Sequence, residues 1–253
     1  MGAPTSLVVP VRTVRAVDAD APVEIGEESV DRDFASRFLD PRDLQALALA
    51  LELRAGRGGD AEVEAIGLAD PAQAPLLRDV AARGADRVTA IWDERMRGGD
   101  PLLAAAALSP QIPDGAVVLT GSPALGGALA QRLGVPSIAG CLAARWSEGR
   151  LEIERTRCDG GTEVLEAGPA AVLVVAEAAE PAPLPEFAAA RAAARLTIEP
   201  AAVPAELLAG VASPGPLALR WKEAERPRLI TEDVEAGAAA LAELLRAAAG
   251  AGS

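Results

Sequence analysis

The chain contains no histidine and no tyrosine, two cysteines, three tryptophans and three phenylalanines among 253 residues. Without histidine it has no Ser-His or Cys-His nucleophile, no imidazole base and no imidazole metal ligand. Cys141 and Cys158 are far apart in sequence, so neither a CxxC redox pair nor a zinc knuckle can be built. The expected role of both is that of reduced, inert core residues. With 2% aromatic residues but 50% hydrophobic ones, the core has to be assembled from Ala, Leu and Val. No stretch reaches the roughly 20 apolar residues that span a bilayer. The N-terminus lacks the basic and apolar regions of an export signal, which points to a cytoplasmic protein. Basic residues are in deficit as well: 24 Lys and Arg against 37 Asp and Glu leave a net charge of −13. That balance argues against nucleic acid and anionic membranes as partners.

What is present has a repeated grammar. Ser6–Val11 (SLVVPV) suits a buried strand, with Pro10 forcing that end to a sheet edge or mouth for want of a donor. Residues 13–36 are polar, with Val23 and Ile25 spaced like a short hairpin strand. Asp40-Pro41 then reads as a helix start, Asp as the cap and Pro at the first position. Strand candidates at Val63–Leu68, Arg87–Trp92 and Ala116–Thr120 are each followed by Asp-Pro or Ser-Pro, at positions 70, 100 and 122, and a helical stretch. This alternation predicts an α/β fold with a doubly wound, mostly parallel sheet. Strands are expected over 150–158, 162–166 and 171–176, around the turn Asp159-Gly160-Gly161. Residues 177–228 read as an extended, Pro- and Ala-rich arm. A last amphipathic helix starts near Thr231, with Val234, Ala238, Leu241 and Leu245 on one stripe. The expected organisation is an α/β nucleotide-binding-like domain over 1–178, then arm and final helix over 179–253.

One turn could carry chemistry. Gly121-Ser122-Pro123-Ala124-Leu125-Gly126-Gly127 follows a strand and opens a helix, where free N–H groups and the helix dipole favour a phosphate. It is neither a Walker loop nor a dinucleotide fingerprint. The alternative is a capped helix whose glycines pack against the sheet. Carboxylate pairs such as Glu27-Glu28, Asp31/Asp33 and Glu232-Asp233 read as solvated surface, and Arg12, Arg15, Lys222 and Arg226 as surface cations.

In order along the chain, several segments resemble the β subunit of electron transfer flavoproteins. These are Val8–Arg12 (VVPVR), Leu39-Asp40-Pro41-Arg42-Asp43, and Asp70-Pro71-Ala72-Gln73-Ala74 with Arg83-Gly84-Ala85-Asp86-Arg87. They are followed by Cys158–Glu163 (CDGGTE) with Pro169-Ala170-Ala171-Val172, and Glu180-Pro181 with Leu184-Pro185. The resemblance implies a sheet of the adenine nucleotide alpha hydrolase type. It also implies an α-subunit partner that holds most of the FAD, an AMP within the β subunit, and a loop that docks onto a donor dehydrogenase. Carried over, the adenylate would lie near Pro10, Asp40, Arg42, Gly121, Ser122, Leu125, Gly126 and Gly127. Leu184 and Pro185 would meet the partner, with Leu184 as the apolar anchor. The chain departs from the family at the 121–127 turn, which is shorter and lacks the family's Asp run and Asn-Gln-Thr-Gly, and this leaves open whether AMP is kept. The helix behind Leu184 is rich in Ala where relatives have Lys. A specialised member is expected, of which the kind accompanying the mycofactocin cofactor system is one candidate. The competing readings are a stand-alone adenine-nucleotide module and a nucleotide-free scaffold subunit.

Overall fold

The computed structural model describes residues 6–15, 37–177, 179, 183–211 and 233–250. The expected short strand around Val23 and Ile25, the Glu27-Glu28 and Asp31/Asp33 pairs, Glu180-Pro181, Lys222, Arg226 and Glu232 lie outside these residues. Two compact units, 1–217 and 218–253, divide the chain.

In the first unit, β1 (Ser6–Arg15), β3 (Glu62–Leu68), β4 (Arg87–Trp92), β5 (Val117–Thr120) and β9 (Ala171–Val175) form a parallel sheet. It is extended by β6 (Ser137–Ser147), β7 (Arg150–Thr156), β8 (Thr162–Ala167) and β10 (Pro200–Ala202) to the order β10-β4-β3-β1-β5-β9-β6-β7-β8. A short β2 (Arg37–Leu39) pairs antiparallel with the end of β1. Alternate residues of these strands feed two cores, as period 2 demands. Leu7, Val9, Val63 and Leu119 face helix α1 (Pro41–Gly56), while Val8, Ile66, Val118 and Val172 face α3 (Pro101–Leu108) and α4 (Pro123–Leu133). Helices thus cover both faces, and the chain is doubly wound as expected. β1 reaches β3 on one side and, after β4, the chain returns to β5 on the other, so the order reverses between β1 and β5.

Helix starts follow the Asp-Pro and Ser-Pro signals. Asp40 accepts from Arg42 N–H (2.9 Å), Asp100 from Leu102 N–H (2.7 Å) and Ser122 Oγ from Leu125 N–H (3.3 Å). Each such cap contributes about 1 kcal/mol. The Asp70-Pro71 start differs. Ala74–Leu77 is a 3-10 turn and only Arg78–Ala82 is α2, because Pro75 lacks the donor an α-helix needs there. β6 had no counterpart in the sequence reading. Gly140, at φ 78°, shifts the register between Ala139 and Cys141, and β6 passes there from its parallel pairing with β9 into a hairpin with β7.

The late segment is more regular than the arm expected from composition. α5 (Phe187–Ala193), β10 and α6 (Ala205–Leu208) fold back, β10 adds a strand beside β4, and Ala193, Val203 and Leu208 are buried. Three-residue β10 (Pro-Ala-Ala) is too short and too Ala-rich to give a periodic signal. In the second unit, α7 (Val234–Gly250) is capped by Asp233, which accepts from Ala236 N–H, and it carries Val234, Leu241, Leu244 and Leu245 exposed. No helix among the described residues is long and apolar enough to cross a membrane.

The cysteines part company. Cys141 is fully buried in β6, and loss of solvation pushes its thiol up to about 12, whereas Cys158 lies exposed in the β7–β8 turn and is not a core residue. Because the thiolate is the reactive form, a maleimide reagent at pH 8 should label one thiol per native chain and two after unfolding. Two fast labels on the native protein would contradict the burial of Cys141.

Candidate functional site

In an open α/β sheet, the crevice beyond the strand ends where the order reverses is the natural ligand position. Here it lies between the C-terminal ends of β1 and β5. A cavity of about 260 Å³ opens at this position. Arg12, Thr13 and Val14 of β1, Leu68 of β3 and Trp92 of β4 form one part of its wall. Gln73, Met96, α3 and the turn before it (Gly99, Asp100, Pro101, Ala104), the start of α4 (Ser122, Leu125) and the cations Arg37 and Arg97 complete it.

Beside the cavity, Arg12 is clasped by two carboxylates from the first turn of α1. Its backbone N–H and its Nε donate to Asp43 Oδ2, both at 2.9 Å, and Nη2 reaches Asp43 Oδ1 (3.2 Å) and Asp40 Oδ2. Asp40 N–H in turn donates to the Arg12 carbonyl at 2.9 Å. Asp43 has no solvent exposure. Burial pushes its carboxyl above the usual range, opposed by the Arg12 charge and its hydrogen bonds. Its fourth donor is Gly121 N–H, at 2.9 Å. Asp43 therefore ties the end of β1, the start of α1 and the turn after β5 into one knot. On the other wall, Thr13 Oγ1 donates to Gln73 Oε1, and Gln73 Nε2 donates to Asp70 Oδ2 at 2.6 Å.

The residues expected at an adenylate are distributed as follows. Ser122 and Leu125 line the cavity. Pro10 sits inside β1, paired with Ile66 of β3; the ladder to β5 runs through Leu7 and Val8, so Pro10 lies where that side of β1 opens. Asp40 caps α1 and holds Arg12. Arg42 turns outward to Glu177 (3.1 Å), a surface pair worth at most about 1 kcal/mol. Gly121 is needed for packing: a Cβ there would stand 2.5 Å from the Arg42 carbonyl carbon. Gly126 lies against β9, where a Cβ would meet Val174 Cγ2 at 2.5 Å, and at Gly127 nothing lies within 4 Å of such an atom. Gly126 matches the packing alternative, Gly121 packs against the start of α1 instead, and Gly127 serves no packing. Arg12 is not a surface cation: its side chain is only 27% exposed. The signal for it was the Asp40/Asp43 spacing, which places two carboxylates on one helix face toward the end of the opening strand. Gln73, Arg37 and Arg97 had no such signal, because a turn after β3, the three-residue β2 and a 3-10 turn after β4 bring them to the cavity.

Elsewhere, Leu184 and Phe187 stand 86% and 83% exposed at the start of α5, with Pro185 between them partly covered. The segment is fastened to α2 by Arg83 Nη1, which donates to the Pro183 carbonyl, and by Arg78 Nε, which donates to the Leu196 carbonyl at 2.8 Å.

Comparison with known proteins places these features in a family. A curated relative, the electron transfer flavoprotein subunit beta of Methylophilus methylotrophus, is 26% identical over 106 residues, which is 42% of this chain and 40% of that protein. The chain thus matches about two-fifths of that relative's length. Residues 30–206, which run from before β2 into the start of α6, match the electron transfer flavoprotein domain. With most of its length accounted for in this way, the chain belongs to the electron transfer flavoprotein domain family.

Proposed function

We propose that the chain is the β-type subunit of a heterodimeric electron transfer flavoprotein in the cytoplasm. In this reading it completes an FAD site with an α subunit and receives electrons from a flavin-dependent or mycofactocin-linked dehydrogenase for delivery to a further acceptor. The observation that carries the reading is the family match over residues 30–206. When bound, FAD supplies the one- and two-electron chemistry, so the chain itself needs no nucleophile, base or metal. Its own contribution is positional: the sheet and α1 provide a rigid wall for the partner chain, and the corner at Leu184 presents an apolar contact to the donor. A stand-alone adenine-nucleotide module fits less well, since such a module needs free N–H groups at its phosphate turn and here Gly121 N–H is held by Asp43.

Co-expression with an α subunit of the same family tests the reading. A yellow complex with equal amounts of both chains is expected, and a colourless chain that never associates would defeat it. Leu184→Ala should slow reduction by the donor about tenfold, as truncation of an exposed anchor does, with unchanged flavin content. Flavin loss in that variant would refute the anchor assignment.

A further inference from the structure

A ligand phosphate at the start of α4 would need the backbone N–H groups of the turn, and they are already in use. Gly121 N–H donates to Asp43 Oδ1 (2.9 Å) and Ser122 N–H to Thr120 Oγ1 (3.1 Å). Pro123 has no N–H. Leu125 N–H donates to Ser122 Oγ (3.3 Å) and Gly126 N–H to the Ser122 carbonyl (2.8 Å). From Gly121 to Gly126 this leaves Ala124. The electrostatics agree. Arg12, which shares the Asp43 carboxylate with the turn, is held by both Asp40 and Asp43, so these three side chains carry more negative than positive charge before any ligand arrives. Of the other cations on the cavity wall, Arg97 is paired with Glu94. A phosphate dianion would have to displace or face a fully buried carboxylate, at a cost of several kcal/mol.

We infer that this chain carries its own anion in place of a ligand phosphate: the Asp43 carboxylate closes the turn at Gly121, and the fold is complete without a resident adenylate. AMP therefore does not fit the α4 turn, and Asp43 acts as a positioning residue that supplies the acceptor a nucleotide would otherwise provide. The inference deepens the reading above, but its readout is separate, because the flavin spectrum reports on the subunit pairing and adenylate reports on this turn.

The test uses the purified complex or, if no partner associates, the chain itself. Nucleotides released by mild acid are separated from intact FAD, and the protein is then titrated with AMP and with inorganic phosphate while its melting midpoint is followed. No adenylate beyond FAD is expected, and no midpoint shift at millimolar AMP, whereas a ligand at about a hundred times its Kd would raise the midpoint by several degrees. One equivalent of adenylate per chain, or such a shift, overturns the inference. The Asp43→Asn variant removes the resident charge, and phosphate should raise its midpoint by more than it raises that of the unaltered protein. A folded variant that gains nothing from phosphate refutes the role given to Asp43; if the variant does not fold, the measurements on the unaltered chain decide.

Discussion

Asp43→Ala should lower the stability of the chain by about 3–5 kcal/mol, the range for removing one partner of a buried ion pair. The side chain has no solvent exposure and accepts four hydrogen bonds. Its removal leaves the Arg12 guanidinium with Asp40 alone and leaves Gly121 N–H buried without an acceptor. Arg12 is 27% exposed and can recover some hydration, which places the expected loss toward the lower end. The measurement is urea unfolding with an unchanged slope and a lower midpoint. A loss under about 1 kcal/mol would mean that the three-way tie among β1, α1 and the β5–α4 turn contributes little.

Gly121→Ala attacks the same junction from the other side. The added methyl would lie 2.3 Å from Arg42 Cβ, 2.5 Å from the Arg42 carbonyl carbon and 2.8 Å from its oxygen, so backbone has to move. Overpacking against a helix start that is itself capped and knotted costs about 3 kcal/mol or more. Any shift that relieves the clash draws Gly121 N–H away from Asp43. The two substitutions should therefore be strongly non-additive, with the double variant little worse than the poorer single one. Simple addition of the two losses would show that the clash and the hydrogen bond are independent. Gly127→Ala is the matched control, since nothing lies within 4 Å of the added atom, and it should be neutral or slightly stabilising within α4.

How far the sequence could be read depended on whether a signal was local. Asp40, Asp100 and Ser122, each followed by Pro, marked the starts of α1, α3 and α4, because capping and the proline φ act within a few residues. Runs such as Val63–Leu68 and 171–176 marked strands that prove to be buried on both faces. The reading failed where one residue sets a long-range event, or where a local helix breaker was passed over. Gly140 lets β6 change partners, Pro75 reduces a helix to a 3-10 turn, and β10 exists because β4 offers it an edge. The site was half legible for the same reason. Ser122 and Leu125 could be placed from the turn they belong to, but the partnership of Arg12 with Asp43 spans 31 positions and left only the spacing of two acids as a clue. The glycines at 121 and 126 illustrate the ambiguity of such turns, since one sequence suits either an anion or the close approach of helix and sheet.

The fastening of α5 to α2 has a consequence for any surface that covers Leu184 and Phe187. Arg83 holds the chain just before this corner at the Pro183 carbonyl and Arg78 holds it beyond α5 at Leu196, so the tip is anchored on both sides. The entropy of fixing that stretch is lost when the protein folds, not when a visitor arrives. Encounter then resembles a stiff peg entering a recess, and affinity at this corner should respond to the shape of the two apolar side chains more than to the length or looseness of the loop that bears them.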